Sequence, residues 1–385
     1  MNTMKKLTLS LALAPLAGYL AVSANTPDVE DWYEEQLEDW SQATAPEAYL
    51  EMRALNPEWD FMARTFLSLT LAERALADPA EIPGALETLD AILTDTLAAE
   101  AAHGPTWYLL PYARQEWFHG DGRSLFVDGE ILVMLGARRL ISDDAWGEEM
   151  DARAARVTES IGSASALPLA ESYPDEGWMF CHVMAMIGLR MHEVTNGANH
   201  SALTERMVAS VKSNLLHSDT GMMISEFDMR GHPKDGPEGS SIWFSSVGML
   251  LFDPEFAHEQ YNLAAASLGD SLLGMGYARE WPAGHRGPTD IDSGPLVPII
   301  DASASSSGFA LLASRAFSDQ TWSEQLYRAI GAAFLVMKLH PALSAAADNP
   351  VGQGVLIWGD AFGPVWERLS PPTVTADAGL PASDK

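Results

Sequence analysis

Apolar residues recur every three or four positions along most of the chain, the spacing that places them on one face of an α-helix. Apolar and polar residues alternate over only a few positions at a time, so the pattern predicts no more than short strands, near residues 222–227. The sequence therefore predicts an all-α fold. Its predicted helices lie within residues 25–45 and cover 57–76, 82–97, 124–141, 144–161, 176–194, 201–216, 240–251, 254–268, 303–316, 321–339 and 357–368.

Acidic loops that contain glycine precede several of these helices. They lie at residues 126–130, 173–177, 235–240 and 290–294, and each comes just ahead of an apolar helix. The loops recur at intervals of roughly 50 residues, which is the length of one helical hairpin. Hairpins bury their apolar faces in an open solenoid or in a closed ring. Carboxylates at the start of every inner helix would converge in a closed ring, so we expect an α/α barrel, a toroid of about five or six hairpins. An open helical repeat is the alternative.

The composition divides the chain into four segments. Residues 1–24 carry two lysines, an apolar run and a small-residue cleavage site, the layout of a bacterial signal peptide. An uncleaved membrane anchor is the alternative for this segment. Residues 25–56 form an acidic helical arm, 57–370 the barrel, and 371–385 a disordered tail rich in Pro, Ala and Asp. We expect a periplasmic or secreted protein with no membrane contact beyond the signal segment.

The charge and the cysteine content exclude several classes of function. A formal net charge of −30 makes the chain a poor ligand for nucleic acid or for an anionic membrane surface. The single cysteine, Cys181, forbids an intrachain disulfide. The sequence has no HExxH, CxxC, GxSxG or phosphate-binding glycine loop. We therefore expect a small-molecule substrate, no cofactor and no metal ion.

The carboxylates of the acidic loops are the main candidates for chemistry. Acidic residues ahead of a helix often serve only as N-caps, which stabilise a helix by about 1 kcal/mol each. Several carboxylates around one cavity, however, push each other's pKa values apart, so that one acts as an acid and another as a base. The candidates are Glu130, Asp175, Glu176, Glu238, Asp290 and Asp292.

The helix that carries Cys181 is a second candidate region. Trp178, Cys181 and His182 lie one helical turn apart or less, so they share one face. The alternative is that Cys181 and His182 have structural roles only. A buried cysteine usually behaves as a small apolar residue, and a single histidine is usually structural. Trp178 and Trp243 lie near loop–helix junctions, where aromatic rings can stack on sugars or stabilise developing carbocations.

Three short motifs resemble the linalool dehydratase-isomerase family. The first is Pro-Asp-x-x-Trp-x-x-Cys, which follows Tyr173 and ends at Cys181. The second is Asp-Pro-x-Phe-x-x-x-x-Tyr, from Asp253 to Tyr261, and the third is the helix that begins at Gly308. The resemblance implies an α/α barrel, an exported bacterial protein and a ring-shaped homo-oligomer. It also implies cofactor-free dehydration or isomerisation of a tertiary allylic monoterpene alcohol by acid–base residues and two cysteines.

The resemblance assigns roles by position. The second cysteine of the family corresponds to Cys181, and the first corresponds to Ser172. The glutamate that neighbours the first cysteine corresponds to Tyr173, and the family's histidine is replaced by Glu130. Because several catalytic residues are replaced, we expect a different substrate on the same scaffold.

The expected function is a cofactor-independent lyase or isomerase that acts on a neutral, largely apolar, isoprenoid-like alcohol. Asp292 or Asp290 would protonate the leaving hydroxyl, and Asp175 or Glu238 would accept a proton from the neighbouring carbon. Cys181 would be a polar or nucleophilic partner.

The remaining candidates are assigned to substrate binding. Trp178 and Trp243 would form an apolar wall, and His182, Glu176 and Glu130 would contact the substrate. Two alternatives stay open, a carbohydrate-active α/α-barrel enzyme and a non-catalytic envelope binding protein.

Overall fold

The computed structural model describes residues 28–41, 44–119, 122–163, 167–285, 296–297, 300–339 and 349–371. This part of the chain is mostly helical, so the all-α prediction is confirmed. The predicted signal segment, the tail beyond residue 371, and both Asp290 and Asp292 lie outside the described residues. The helices are α1 (Val29–Trp40), α2 (Glu47–Leu55), α3 (Pro57–Ala77), α4 (Ile82–His103), α5 (Leu125–Ile141), α6 (Gly147–Ser163), α7 (Met179–Asn196), α8 (Ser201–Asn214), α9 (Gly239–Met249), α10 (Pro254–Ser267), α11 (Ala304–Ala316), α12 (Gln320–Leu339), α13 (Pro350–Ala361) and α14 (Pro364–Leu369).

The described strands are short and antiparallel. A three-stranded sheet pairs β1 with β2 and β2 with β3, and two further pairs are β4 with β5 and β6 with β7. The strand expected near residues 222–227 is present as β2. The strands are β1 (Gly177–Trp178), β2 (Glu226–Phe227), β3 (Pro233–Asp235), β4 (Gly269–Leu272), β5 (Met275–Ala278), β6 (Leu296–Val297) and β7 (Ala302–Ser303).

Six helices pack in a closed order that defines the interior of the molecule. α3 packs on α5, α5 on α7, α7 on α9, α9 on α11, α11 on α13, and α13 packs again on α3. We call these six helices the inner series. Most of their residues are buried; in α9 only Ser240 is partly exposed. The helices between them pack on their outside, as α4 does on α3 and α5, and α6 on α5 and α7.

Side-chain caps fix where several inner helices begin. The side chains of Asn56, Ser124, Ser303 and Asn349 each accept a backbone N–H from the first turn of the helix that follows. Each cap satisfies a donor that the helix itself leaves unpaired. The N-terminal ends of α3, α5, α11 and α13 are thereby set by residues that can be recognised in the sequence.

Several predicted helix boundaries were wrong. The helix expected at 82–97 extends to His103, and the one expected at 144–161 begins at Gly147. The helix expected at 176–194 begins only at Met179, because the two preceding residues pair as a strand with β2. The helix expected at 357–368 is two helices, α13 and α14, since Gly363 has a φ of 150° and Pro364 cannot continue a preceding helix. The N-terminal arm likewise contains two helices, α1 and α2, and α1 packs on α13.

A buried arginine joins α6 to the inner series. The Arg153 guanidinium lies 2.7 Å from Asp128 on α5 and 2.6 Å from Glu100 on α4, and it is 1% exposed. Removing one member of a buried ion pair leaves the partner charge desolvated and uncompensated. Asp128 retains a second partner, Arg123, at 2.8 Å.

We expect Arg153→Ala to lower the free energy of unfolding by about 3 kcal/mol, measured by chemical denaturation. The matched control is Arg156→Ala on the same helix. Arg156 is part-exposed and lies 3.6 Å from Asp128, so its loss should cost less than about 1 kcal/mol. Equal effects of the two substitutions would contradict the role given to Arg153.

Among the described residues, none of the helices is both long enough and apolar enough to cross a membrane.

Candidate active site

The segment at residues 171–178 runs across the N-terminal ends of three inner helices. The Leu125 N–H at the start of α5 donates to the Glu171 carbonyl at 2.7 Å, and the Ser124 hydroxyl donates to the Ser172 carbonyl at 2.6 Å. The Tyr173 hydroxyl donates to Glu58 in the first turn of α3. The segment then continues directly into α7. It therefore places its side chains where α3, α5 and α7 begin.

Glu130 is a fully buried carboxyl group on the inward side of α5. Its Oε2 accepts the Thr65 hydroxyl of α3 at 2.5 Å, and its Oε1 has no hydrogen-bond partner among the described residues. Burial raises the pKa of Glu130 to about 8, against a smaller lowering by the Thr65 hydrogen bond. At neutral pH the group is therefore mostly a carboxylic acid, with a proton to donate.

Cys181 lies beside this acid in the first turn of α7. The sulfur hydrogen-bonds with the Ser172 side chain, and it is close enough to Glu130 and Glu58 to interact with their charges. Burial is the main cause that raises the pKa of the Cys181 thiol, and both carboxylates add to it. The group is a neutral thiol at physiological pH, so it is suited to hydrogen bonding rather than to nucleophilic attack as a thiolate.

Glu58 and two tyrosines complete the polar groups at this end. The Tyr173 hydroxyl donates to Glu58 Oε1 and accepts the Leu110 N–H at 2.8 Å. The Tyr112 ring stacks on Tyr173 at a centroid distance of 4.4 Å. Burial and the neighbouring Glu58 both raise the pKa of Tyr173, so its hydroxyl keeps its proton and holds the Glu58 carboxyl in place.

The interior of the inner series is aromatic. Phe180 of α7 lies 4.3 Å from Phe244 of α9 and 5.8 Å from Phe309 of α11, measured between ring centroids. Phe66 of α3 lies 5.8 Å from Phe309 and from Trp358 of α13. Five of the six inner helices thus contribute a ring. The sixth, α5, contributes Phe126 to a separate pair with Phe61 of α3, at a centroid distance of 5.4 Å.

His182 is a structural residue in this arrangement. Its Nε2 accepts the Ala170 N–H at 3.0 Å, so the ring proton lies on Nδ1, which donates to the Trp178 carbonyl at 2.8 Å. Burial lowers the pKa of His182 to about 4, so the ring is neutral. Both ring nitrogens are used within the protein, and His182 fastens the loop at 169–170 to α7. Trp178 itself is extended and only partly buried.

Asp175 and Glu176 hold loops together just before the start of α7. Asp175 has a φ of 54°, its N–H donates to Glu171, and its carboxylate accepts the Met229 N–H at 3.3 Å. Glu176 accepts the Tyr112 hydroxyl at 3.1 Å and lies 2.8 Å from the Lys234 ammonium. The structure therefore places both carboxylates among contacts between loops.

Glu238 and Trp243 lie at and within the start of α9. Glu238 is the residue before this helix, is 3% exposed, and accepts the Ser241 and Ile242 N–H groups through its carbonyl. Trp243 is fully buried, and its Nε1 donates to Ser306 Oγ at 3.1 Å, which links α9 to α11. Trp243 therefore lies in the helix packing rather than on an open wall.

The structure also identifies polar groups that sequence patterns did not single out. Glu58 and Thr65 of α3 belong to the cluster around Glu130. Glu58 follows Asn56 and Pro57, so its sequence context is that of an ordinary helix start. Thr65 lies in an apolar helix, and its contact with Glu130 spans 65 positions. No local motif signals either residue.

A cleft of about 760 Å³ lies near the opposite end of α5. It is lined by Arg139 and by residues 143–149, four of which are acidic. Arg139 uses its guanidinium on Asn196 and on two backbone carbonyls. Arg139 is nine positions beyond Glu130, or about 13 Å along the helix, so this cleft is separate from the buried acid.

Comparison with known proteins adds no family. No protein-family model matches the chain. No curated protein matches it either.

Proposed function

We propose that the inner series is the inner ring of an α/α barrel whose N-terminal end holds the active site of a cofactor-independent lyase or isomerase. The closed packing order from α3 through α13 and back to α3 supports the barrel. The substrate would be a neutral, largely apolar alcohol, as the resemblance to linalool dehydratase-isomerase implies. The observation that carries the proposal is the buried Glu130, whose pKa burial raises to about 8, on a helix of the same closed series that carries the aromatic cluster.

In the proposed mechanism, Glu130 donates its proton to the substrate hydroxyl as the carbon–oxygen bond breaks, and water leaves. The resulting cation lies among the rings of Phe180, Phe244 and Phe309, whose faces stabilise positive charge. Glu58, which already accepts the Tyr173 hydroxyl, takes a proton from the neighbouring carbon to give an alkene. Proton exchange with water then restores both carboxyl groups.

Ser172 and Cys181 would bind the substrate oxygen rather than form a covalent bond. A hydroxyl and a neutral thiol supply hydrogen bonds without adding charge beside the cation. Glu130 takes the acid role that the sequence suggested for Asp290 or Asp292, because burial keeps its carboxyl group protonated at neutral pH. Glu58 takes the acceptor role in place of Asp175 or Glu238, because it lies in the same buried cluster.

The aromatic interior favours an apolar ligand over a carbohydrate. A sugar brings several hydroxyl groups, and burying each of them without a partner is costly. The five rings offer no donor or acceptor other than the indole of Trp358. An isoprenoid chain, by contrast, has little polar surface to satisfy.

A thermal-shift screen tests the proposed substrate class. We expect tertiary terpene alcohols to raise the melting temperature and neutral oligosaccharides to leave it unchanged. A ligand at 100 times its Kd adds about 2.7 kcal/mol to the free energy of unfolding, which is readily visible. A response confined to the sugars would contradict the proposal and favour the carbohydrate-active alternative.

A further inference from the structure

Two histidines and an aspartate meet between loops that the proposed reaction does not use. His217 and Asp219 belong to the turn that follows α8, and His285 lies beyond β5. One ligand atom from each of the three side chains lies within 4.8 Å of the others. The His217 and His285 rings meet edge to face, with centroids 5.3 Å apart. All three side chains are at least partly exposed, so a solvated ion can reach them.

The turn that carries His217 and Asp219 is held by backbone hydrogen bonds. The His217 N–H donates to the Met222 carbonyl at 2.7 Å, and the Gly221 N–H donates to the His217 carbonyl at 2.8 Å. Gln260 on α10 donates to the Gly221 carbonyl at 3.0 Å and so fixes the turn to the body of the protein. A ligand set on such a turn loses little conformational entropy when it binds an ion.

One of the two ring nitrogens of His217 already has a hydrogen-bond partner. Nδ1 of His217 lies 3.1 Å from Thr220 Oγ1, which leaves Nε2 for a metal ion. Histidines that bind metals in proteins almost always hydrogen-bond through the other ring nitrogen, because this orients the ring and makes the ligand nitrogen more basic. Thr220 thus occupies the position that such a partner requires.

We propose that His217, Asp219 and His285 bind a divalent transition-metal ion, with Zn²⁺ as the best match. Two imidazole nitrogens and one carboxylate oxygen are donors that Zn²⁺ accepts, and a water molecule completes a tetrahedral set. The ion would join the turn that follows α8 to the segment that follows β5. No sequence motif indicates this site, because His217 and His285 are far apart along the chain.

Zinc titration of the full chain, first stripped with a chelator and dialysed, tests the proposal. Calorimetry should give one equivalent of bound Zn²⁺, and Co²⁺ in its place should give visible d–d absorption bands. His217→Ala and His285→Ala should each weaken Zn²⁺ binding by about 100-fold or more, beyond the 10- to 100-fold typical of a lost outer-shell partner. Thr220→Val should weaken it by about tenfold.

His232→Ala is the matched control. His232 is also exposed and lies 2.9 Å from a carboxylate, that of Asp228, but it belongs to neither loop. This variant should bind one equivalent of Zn²⁺ with unchanged affinity. The proposal is overturned if the wild-type chain binds no stoichiometric Zn²⁺, or if His217→Ala and His285→Ala bind it as tightly as the control.

Discussion

Glu130→Gln should reduce turnover of an alcohol substrate by roughly 10²- to 10⁴-fold, the range that a positioned general acid contributes. Glutamine has nearly the shape of a protonated glutamate and can still accept the Thr65 hydroxyl, but it has no acidic proton to donate. The loss should therefore fall on the rate constant for the chemical step rather than on substrate binding. Initial rates of product formation in wild type and variant measure it.

Glu73→Gln provides the control for this prediction. Glu73 is also a buried glutamate of α3, and burial raises its pKa to about 8 as well. Its Oε2 accepts the N–H groups of Gly363 and Val365 at the start of α14. Since Glu73 lies eight positions beyond Thr65, or about 12 Å along α3, its substitution should leave turnover unchanged. Equal losses in both variants would count against Glu130 as the acid.

Glu130 should contribute a fall in stability as the pH rises from about 4.5 to about 8, and Glu130→Gln should remove that contribution. The folded-state pKa of Glu130, about 8, lies above the ordinary value of 4.5. In this window the folded chain keeps a proton that the unfolded chain releases, so the free energy of unfolding decreases with pH. Between pH 5 and 8.5 the contribution of Glu130 to this decrease is roughly 4 kcal/mol.

Chemical denaturation of both proteins at pH 5 and at pH 8.5 measures this effect. Between pH 5 and pH 8.5 the free energy of unfolding should decrease more for the wild type than for Glu130→Gln. The stability of the variant relative to the wild type should therefore be higher at pH 8.5 than at pH 5. Glu73 is present in both proteins and contributes a similar decrease in the free energy of unfolding to each, so its contribution cancels in the comparison. Parallel curves would mean that Glu130 is already ionised at pH 5 in the folded protein, and the proposed acid role would then fail.

The sequence was sufficient to predict most of the helices. A 3.6-residue apolar period, caps such as Asn56 and Ser124, and stops such as Gly197 are local signals, and the structure follows them. The helix boundaries that were predicted wrongly depend on residues distant in the sequence or on backbone geometry. Residues 177–178 become a strand only because Glu226–Phe227 lies beside them. Residues 357–368 break at Gly363, whose φ no helix accommodates.

The candidate site was only partly predictable, because burial is a tertiary property. Glu130 drew attention through an expected acidic loop at 126–130, which was wrong, since these residues lie within α5. Cys181 drew attention through its motif, and the structure places the two side chains together. Asp175 and Glu176 looked equivalent to Glu130 in the sequence, yet they bind the Met229 N–H, the Tyr112 hydroxyl and Lys234. Glu58 joins the cluster through Tyr173, 115 positions away, a contact that no local pattern encodes.

The most direct test of the proposed activity is product analysis by gas chromatography and mass spectrometry after the wild-type chain is incubated with a tertiary allylic terpene alcohol. We expect an alkene formed by loss of water, or an isomeric alcohol, and neither product from Glu130→Gln under the same conditions. The alcohol should be present at a concentration that raises the melting temperature of the wild type. If it binds in this way and is recovered unchanged, the proposed chemistry is wrong and the chain binds such alcohols without converting them.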